Sequence, residues 1–493
     1  MILPYFVLLP LLAAFLIALL AGKKDDWAIA LSFMATLSIL ALSVFGFITM
    51  REQTFTYAMS GWNIPIGICL VQDALSLFML FMISLIALTS LCFSVQYIRH
   101  LAQDWKYYAL FMLLLTGMNG VVVTGDLFNL YVFMEIALIA AFALVAYGCR
   151  AEEYEASFKY AIMGGFSSSV ILIAIALTYS STSTLTLAGI AQALPGLDQR
   201  LVMWIAALFL VGFGLKAAAI PFHTWLPDAH SSAPAPISSM LSGVLIKALG
   251  IYVLIRLFYN VFNAPPLFMN LLLIIGSVSI MLGVFLAIGQ WDLKRLLAYH
   301  SISQIGYILL GLGLATPLGI LGAVFHLFNH AIFKSLLFYG AGAVEMVLGT
   351  RNLKKMGKLA HLLPITAGTN MVASLSISGI PPFNGFFSKL ILIIAAIQAG
   401  HPVYAFWAIL GSLLTLASFM KVQRYGFYGE VEHQKPNIMP GKLIHAAMLI
   451  LAVICLLSSL FIVPGIREHT LDPVVDVINN KIHYIELVYG RAL

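Results

Sequence analysis

Residues 374–392 read SLSISGIPPFNGFFSKLIL, and residues 215–230 read LKAAAIPFHTWLPDAH. Each stretch is an apolar run that proline interrupts beside a lysine: Pro221 follows Lys216, whereas Gly379, Pro381 and Pro382 precede Lys389. Proline removes a backbone donor and its ring clashes with the preceding turn, so both runs are predicted to be helices that kink or unwind. Unwound backbone within a bilayer is tolerated only where it is buried in protein or lines a water-filled cavity. The pair therefore predicts an all-α polytopic membrane protein with a hydrated interior, and matched interrupted helices are the sequence sign of an inverted repeat.

The rest of the chain agrees with that reading. Hydrophobic residues make up 61% and charged residues 9%, against about 25% charged in soluble domains. Runs long enough to cross a bilayer fall near 3–22, 27–49, 73–96, 107–124, 127–149, 158–180, 201–225, 235–258, 266–289, 297–314, 317–346, 363–399, 403–425 and 443–465, which gives about fourteen spans. Alternating barrel strands are absent. The expected organisation is N-terminal helices in 1–106, a first five-helix repeat in 107–258, a second in 266–425, and a last helix with its tail in 443–493, the breaks falling at spans 7 and 12. Met1 to Gly22 lacks a basic leader region and a small-residue cleavage site, and reads as the first span. Residues 466–493 suit either a short amphipathic helix on the outer surface or a frayed tail.

The formal charge of +6 reflects topology, and no nucleic-acid partner is expected. Lys23, Lys24, Arg99, Lys106, Arg150, Lys159, Lys294, Arg295, Arg351, Lys354, Lys355, Lys358, Lys421, Arg424, Lys435 and Lys442 lie in or beside the loops that follow odd-numbered spans. The opposite loops and nearby span ends hold only Arg51, Arg200 and Arg256. Positive charge stays on the cytoplasmic side, so the basic loops are assigned to the cytoplasm and both termini to the outside of a bacterial or archaeal cell membrane. Cys69, Cys92, Cys149 and Cys455 stand singly without metal-ligand spacing, and no cofactor is expected.

Glu135, Lys216, Lys247, Lys334 and Lys389 lie inside predicted spans, where a central charge costs about 2.5–3.5 kcal/mol on insertion scales. Glu135 has no cation one turn away, so its partner has to come from another helix; a buried Glu135–Lys216 ion pair is expected. His326, His330 and Lys334 recur every four residues and share one helix face, an arrangement suited to a proton relay because neutral imidazole both accepts and donates. Histidines bonded to neighbouring helices, and lysines that snorkel to the interface, are the structural alternative.

Three longer stretches carry a resemblance: GFGLKAAAIPFHTWLPDAHSSAPAPISSMLSGVLIKALGIYVLIR (212–256), WDLKRLLAYHSISQIGYILLGLGL (291–314) and NHAIFKSLLFYGAG (329–342). The chain resembles, over nearly its whole length, the antiporter-like subunits of respiratory complex I, Mrp cation/proton antiporters and membrane-bound hydrogenases. The resemblance implies two inverted five-helix repeats and a polar axis through which protons move. Along that axis Glu135 would pair with Lys216, Lys247 would connect the halves, His326 and His330 would link the half-channels, and Lys389 would end the path. GDLFNLYVFMEI (125–136) is most similar to Mrp D-type and hydrogenase subunits and PFHTWLPDAH (221–230) to complex I and hydrogenase subunits, which favours a hydrogenase-like or related modular complex over a free-standing Mrp antiporter.

The expected function is proton translocation, with exchange for Na⁺ left open, alongside other membrane subunits and a hydrophilic redox arm. Repeat symmetry assigns the Lys216 half to the cytoplasmic side and Lys389 to an outward exit. Two other classes remain. A self-contained solute transporter would present helix termini to its substrate instead of a row of lysines and histidines. A quinone-binding membrane enzyme would use His223, Trp225 and His230, which at a membrane boundary otherwise suit interfacial anchors.

Overall fold

A computed structural model describes residues 2–20, 25–51, 54–62, 64, 67–101, 105–431 and 438–490. Lys23, Lys24 and Lys435 of the basic loops lie outside these residues. The helices in chain order are α1 (Tyr5–Leu19), α2 (Asp25–Met50), α3 (Ala74–Tyr97), α4 (Trp105–Val123), α5 (Leu127–Val145), α6 (Ala151–Thr182), α7 (Leu187–Ala193) and α8 (Gln199–Lys216). They continue as α9 (Trp225–Ser232), α10 (Ala235–Val261), α11 (Pro266–Ile288), α12 (Leu293–Gly313), α13 (Pro317–Leu348), α14 (Pro364–Ser378) and α15 (Asn384–Gln398). The last are α16 (Pro402–Phe427), α17 (Lys442–Ile462), α18 (Pro464–Thr470), α19 (Asp472–Asn479) and α20 (Lys481–Gly490).

Among the described residues, 12 helices are long and apolar enough to cross a membrane, and α1 and α15 are shorter apolar helices. The chain is an integral membrane protein. One element that hydropathy does not announce is a small antiparallel pair, β1 (Phe55–Ala58) with β2 (Cys69–Gln72), between α2 and α3.

Helix starts follow local chemistry. Asp73, Asp126, Asp292 and Thr316 each accept a bond from a backbone N–H in the first turn of α3, α5, α12 and α13, which satisfies an otherwise orphaned donor. Pro266, Pro317, Pro364 and Pro402 open their helices, where the missing N–H costs nothing. Close packing rests on glycine: a methyl at Gly117 would lie 2.5 Å from the Ala137 nitrogen in α5, and one at Gly276 would lie 2.6 Å from the Leu310 nitrogen in α12.

The basic loops gather at one end of the bundle. Lys294 pairs with Glu345 at 2.6 Å, Arg295 and Lys159 both reach Asp228 at 3.0 Å, and Arg351 pairs with Asp292 at 3.1 Å. At the other end Asn260 donates to the Val477 carbonyl at 2.9 Å, and Thr186 meets the Tyr489 hydroxyl at 3.2 Å. Leu471, Val474, Ile478 and Val488 are buried there, so residues 464–490 dock on the protein as short helices instead of fraying. A matched pair of backbone ladders occupies the two ends. Asp126 bridges Thr186 beside the C-terminal helices, and Asp292 bridges Asn352 among the basic loops.

Both broken helices are present. The first unwinds earlier than its proline suggests: α8 ends at Lys216, Ala218 takes a positive φ of 54°, and helix resumes only at Trp225. The freed groups find partners, since the Ile220 N–H donates to Ser279 Oγ at 3.1 Å and Trp225 Nε1 donates to the Leu215 carbonyl at 3.1 Å. The second break begins at Gly379, whose φ of 75° is a left-handed helix terminus that glycine accepts without a Cβ clash. A methyl at Gly385 would overlap the Ser376 carbonyl, so glycine also permits the two half-helices to touch.

Candidate functional site

A row of buried polar side chains crosses the bundle between the breaks. At one end, Ser168 of α6 accepts from Lys216 Nζ at 3.0 Å and donates to Glu135 Oε1. Lys216 also donates to the Gly164 carbonyl at 2.9 Å. The expected direct Glu135–Lys216 ion pair is thus replaced by a hydroxyl bridge, because α6 passes between α5 and α8 at this level. Glu135 is half-buried, whereas Lys216 is buried.

Lys247, Lys334 and Lys389 are buried as well, which excludes snorkelling for Lys334 and Lys389. Lys247 donates to the Ser242 carbonyl at 2.6 Å within a helix whose backbone turns π-helical at Leu241–Leu245 and again at Lys247–Tyr252. Such π-turns concentrate at functional sites, and nothing in the local sequence announces them. Lys334 donates to the Leu297 carbonyl. Lys389 donates to the Ile377 carbonyl at 2.7 Å and to Ser412 Oγ at 3.3 Å. The broken helix thereby supplies its own ligand: a carbonyl released at the end of α14 meets the ammonium on α15, a cation at the negative end of a helix dipole. All four ammonium groups are held by neutral oxygens.

The histidine stripe joins these lysines. His326 and His330 stack with ring centroids 6.4 Å apart, and His326 Nδ1 lies 3.0 Å from Ser388 Oγ, next to Lys389 in sequence. Tyr307 packs between them, 5.4 Å from the His326 ring and 4.7 Å from Lys389 Nζ. His330 lies within electrostatic reach of Lys247, Lys334 and His230. A small cavity beside Lys216 is lined by Leu138, Tyr160, Trp225, Leu245, Ile246 and Leu249.

His230 and Trp225, which suit interfacial anchors in the sequence, are buried instead. Trp225 stacks on Tyr160 at 4.3 Å, and neither ring nitrogen of His230 has a protein partner among the described residues. Both nitrogens of His330, Nε2 of His326, Nδ1 of His300 and both amide atoms of Gln304 are in the same condition. Buried polar atoms in native proteins are paired with protein or ordered water, so this cluster calls for internal water. Ser168, Tyr307 and Ser388 belong to the axis in space, yet the sequence does not single them out, because lone hydroxyls are common in helices. Among the described residues no group of three His, Cys, Asp or Glu side chains could hold a metal ion.

Comparison with known proteins gives this geometry its relatives. The family described as NADH:quinone oxidoreductase/Mrp antiporter, TM, matches residues 124–415, which include both breaks and every lysine of the row. The chain is 36% identical over 490 residues to the D-type subunit of the Na(+)/H(+) antiporter of Alkalihalophilus pseudofirmus, covering 98% of this chain and 99% of that protein. One polypeptide in the structure of the Mrp complex from Dietzia sp. DQ12-45-1b superposes with a TM-score of 0.91 at 29% identity, covering 99% of each chain. Another, in the membrane-bound sulfane sulfur reductase, an archaeal respiratory membrane complex, matches with the same TM-score, identity and coverage. With the family match spanning both breaks and the relative aligned almost end to end, the chain belongs to the NADH:quinone oxidoreductase/Mrp antiporter transmembrane family.

Proposed function

We propose that this chain is the proton-translocating, antiporter-like subunit of a multisubunit membrane complex, carrying protons along Glu135, Lys216, Lys247, His330, His326 and Lys389, with Lys334 beside the path. One observation carries the reading: lysines deep in the bundle are held by carbonyl and hydroxyl oxygens, with no counter-charge in contact among the described residues. A purely structural cation would be expected to keep a carboxylate, as Arg256 does with Asp73 at 2.6 Å, because an unpaired buried charge is costly. An amine can drop that charge and regain it, which a guanidinium cannot. Equal likeness to an Mrp complex and to a respiratory complex supports the role common to both, in a redox-driven or Mrp-type assembly, with Na⁺ as the candidate counter-ion and a hydrophilic redox arm in the former case.

The architecture we assign is fourteen spans, made by counting α1 and the broken pair α14–α15 with the longer helices. Residues 107–258 and 266–425 form inverted halves between the N-terminal helices of 1–106 and the last helix and tail of 443–493. The ladders Asp126–Thr186 and Asp292–Asn352 support the repeat, since each ties the loop before a half's second span to the loop before its broken span, at opposite ends of the bundle. In a cell membrane the basic loops face the cytoplasm and both termini face outward.

The test is Lys247→Arg in the assembled complex, reconstituted in vesicles with a pH-sensitive dye. The carrier role predicts loss of proton transport with charge preserved. Wild-type transport in Lys247→Arg, together with loss in Lys247→Ala, would make Lys247 an electrostatic element.

A further inference from the structure

The approach to Lys389 from the basic-loop end is lined by polar side chains. Along α14, Thr366, Asn370, Ser374 and Ser378 recur every four residues, so they share one face, and all four are buried. Gln423, from the basic-loop end of α16, donates to Asn370 Oδ1 and to Ser374 Oγ, both at 3.0 Å. Ser378 donates to the Ser374 carbonyl at 2.7 Å, Ser412 donates to the Ser378 carbonyl at 2.8 Å, and Lys389 donates to Ser412. Thr366 Oγ1 and Gln423 Oε1 are buried without a protein partner among the described residues.

Beyond Lys389 along α15, the face toward α12 and α16 becomes apolar, while Asn384 keeps a polar contact with Ser458 of α17. Leu392, Ala395 and Ala396 of α15 pack with Leu310, Leu314 and Ala405 in a separate apolar cluster. Water follows polar lining and avoids small apolar voids.

We propose that Thr366, Asn370, Gln423, Ser374, Ser378 and Ser412 form a water-filled file that carries protons between the basic-loop face and Lys389. The file rests on the proton-translocating reading above and adds its direction: Lys389 communicates with the basic face, opposite to the outward exit that repeat symmetry suggested. The amides of Asn370 and Gln423 position water, and hydroxyls and water pass the proton. At the end of the file an O–H bond of the last hydrated proton breaks as an N–H bond forms on the Lys389 amine, leaving neutral water and an ammonium.

Single cysteines test the direction. In the full assembly with Cys69, Cys92, Cys149 and Cys455 replaced, Asn370→Cys, Ser374→Cys and Thr366→Cys are exposed to a membrane-impermeant thiol reagent from each side in turn. Lys355→Cys on an exposed basic loop marks the reference side. The file predicts labelling from the reference side only, in whichever variants copurify with the assembly. Labelling from the opposite side alone, or none from either side, overturns it. Transport separates this proposal from its parent: Ser374→Leu should block proton uptake while Ser374→Ala spares it. Wild-type transport in Ser374→Leu with loss in Lys389→Ala rejects the file alone, whereas wild-type transport in both Lys389→Ala and Lys247→Arg rejects the proton reading itself.

Discussion

The two broken helices present one lysine each, yet the faces that lead to them are made of opposite materials. Toward Lys216, α8 buries Val202, Ile205, Phe209 and Phe213, while α14 buries Thr366, Asn370, Ser374 and Ser378 on its way to the second break. The ligands differ too. Lys216 reaches across to α6 and is joined to a carboxylate through Ser168, whereas Lys389 turns back onto a carbonyl of its own broken helix. Proline and glycine supply only the break. The neighbouring helices decide whether a carboxylate or a row of hydroxyls and amides stands beside it.

The largest expected effect erases the difference. Lys216→Met and Lys389→Met should each cut proton transport by about a hundredfold or more, the range for removing a positioned proton-transfer group. Proton uptake by reconstituted vesicles measures both, and a loss confined to one variant would show that only that half carries current.

Glu135→Ala should reduce transport less than Lys216→Met, because Ser168 and the Gly164 carbonyl still hold the ammonium in place. If the two variants transport equally poorly, the carboxylate is as essential as the lysine and Ser168 is a proton link, which Ser168→Ala would then reproduce.

Stability distinguishes the breaks themselves. Gly385→Ala forces a methyl into the Ser376 carbonyl, while Gly214→Ala meets nothing closer than Phe222 at 3.6 Å. Overpacking costs about 1–3 kcal/mol and sometimes more, so thermal denaturation of the detergent-solubilised assembly should show a clear loss for Gly385→Ala and little change for Gly214→Ala. Similar melting of the two would mean that the second break is no tighter than the first.

The smallest expected change is Trp225→Phe, which keeps a ring against Tyr160, removes the bond to the Leu215 carbonyl and trims one edge of a buried ring. A loss of about 1 kcal/mol is expected, read from the same denaturation experiment. A far larger loss would make Trp225 the main tie across the first break.

Much of this architecture was legible before folding. Apolar run length located the helices to within a few residues at most ends, proline and glycine located both breaks, and charge out of place located Glu135 and the four lysines. The residues that complete the site were not legible, for a local reason: a serine or threonine inside a helix can bond a carbonyl on its own preceding turn, as Ser84 and Thr116 do at 2.8 Å. Its sequence looks the same when, like Ser168, it instead joins a lysine to a glutamate on two other helices. His230 illustrates the same limit, since hydropathy placed it at a boundary while the turn of α9 carried it into the core.

The sequence by itself determined how many apolar segments the chain carries, which two of them break and which charges cannot face lipid, because these follow from periodicity, proline sterics and the cost of burying charge. Tertiary structure alone decided which oxygen each ammonium takes, where hydroxyls stand between charges and which side of Lys389 is polar. Those outcomes depend on contacts between helices far apart in the chain, and the pattern within any one helix does not encode them.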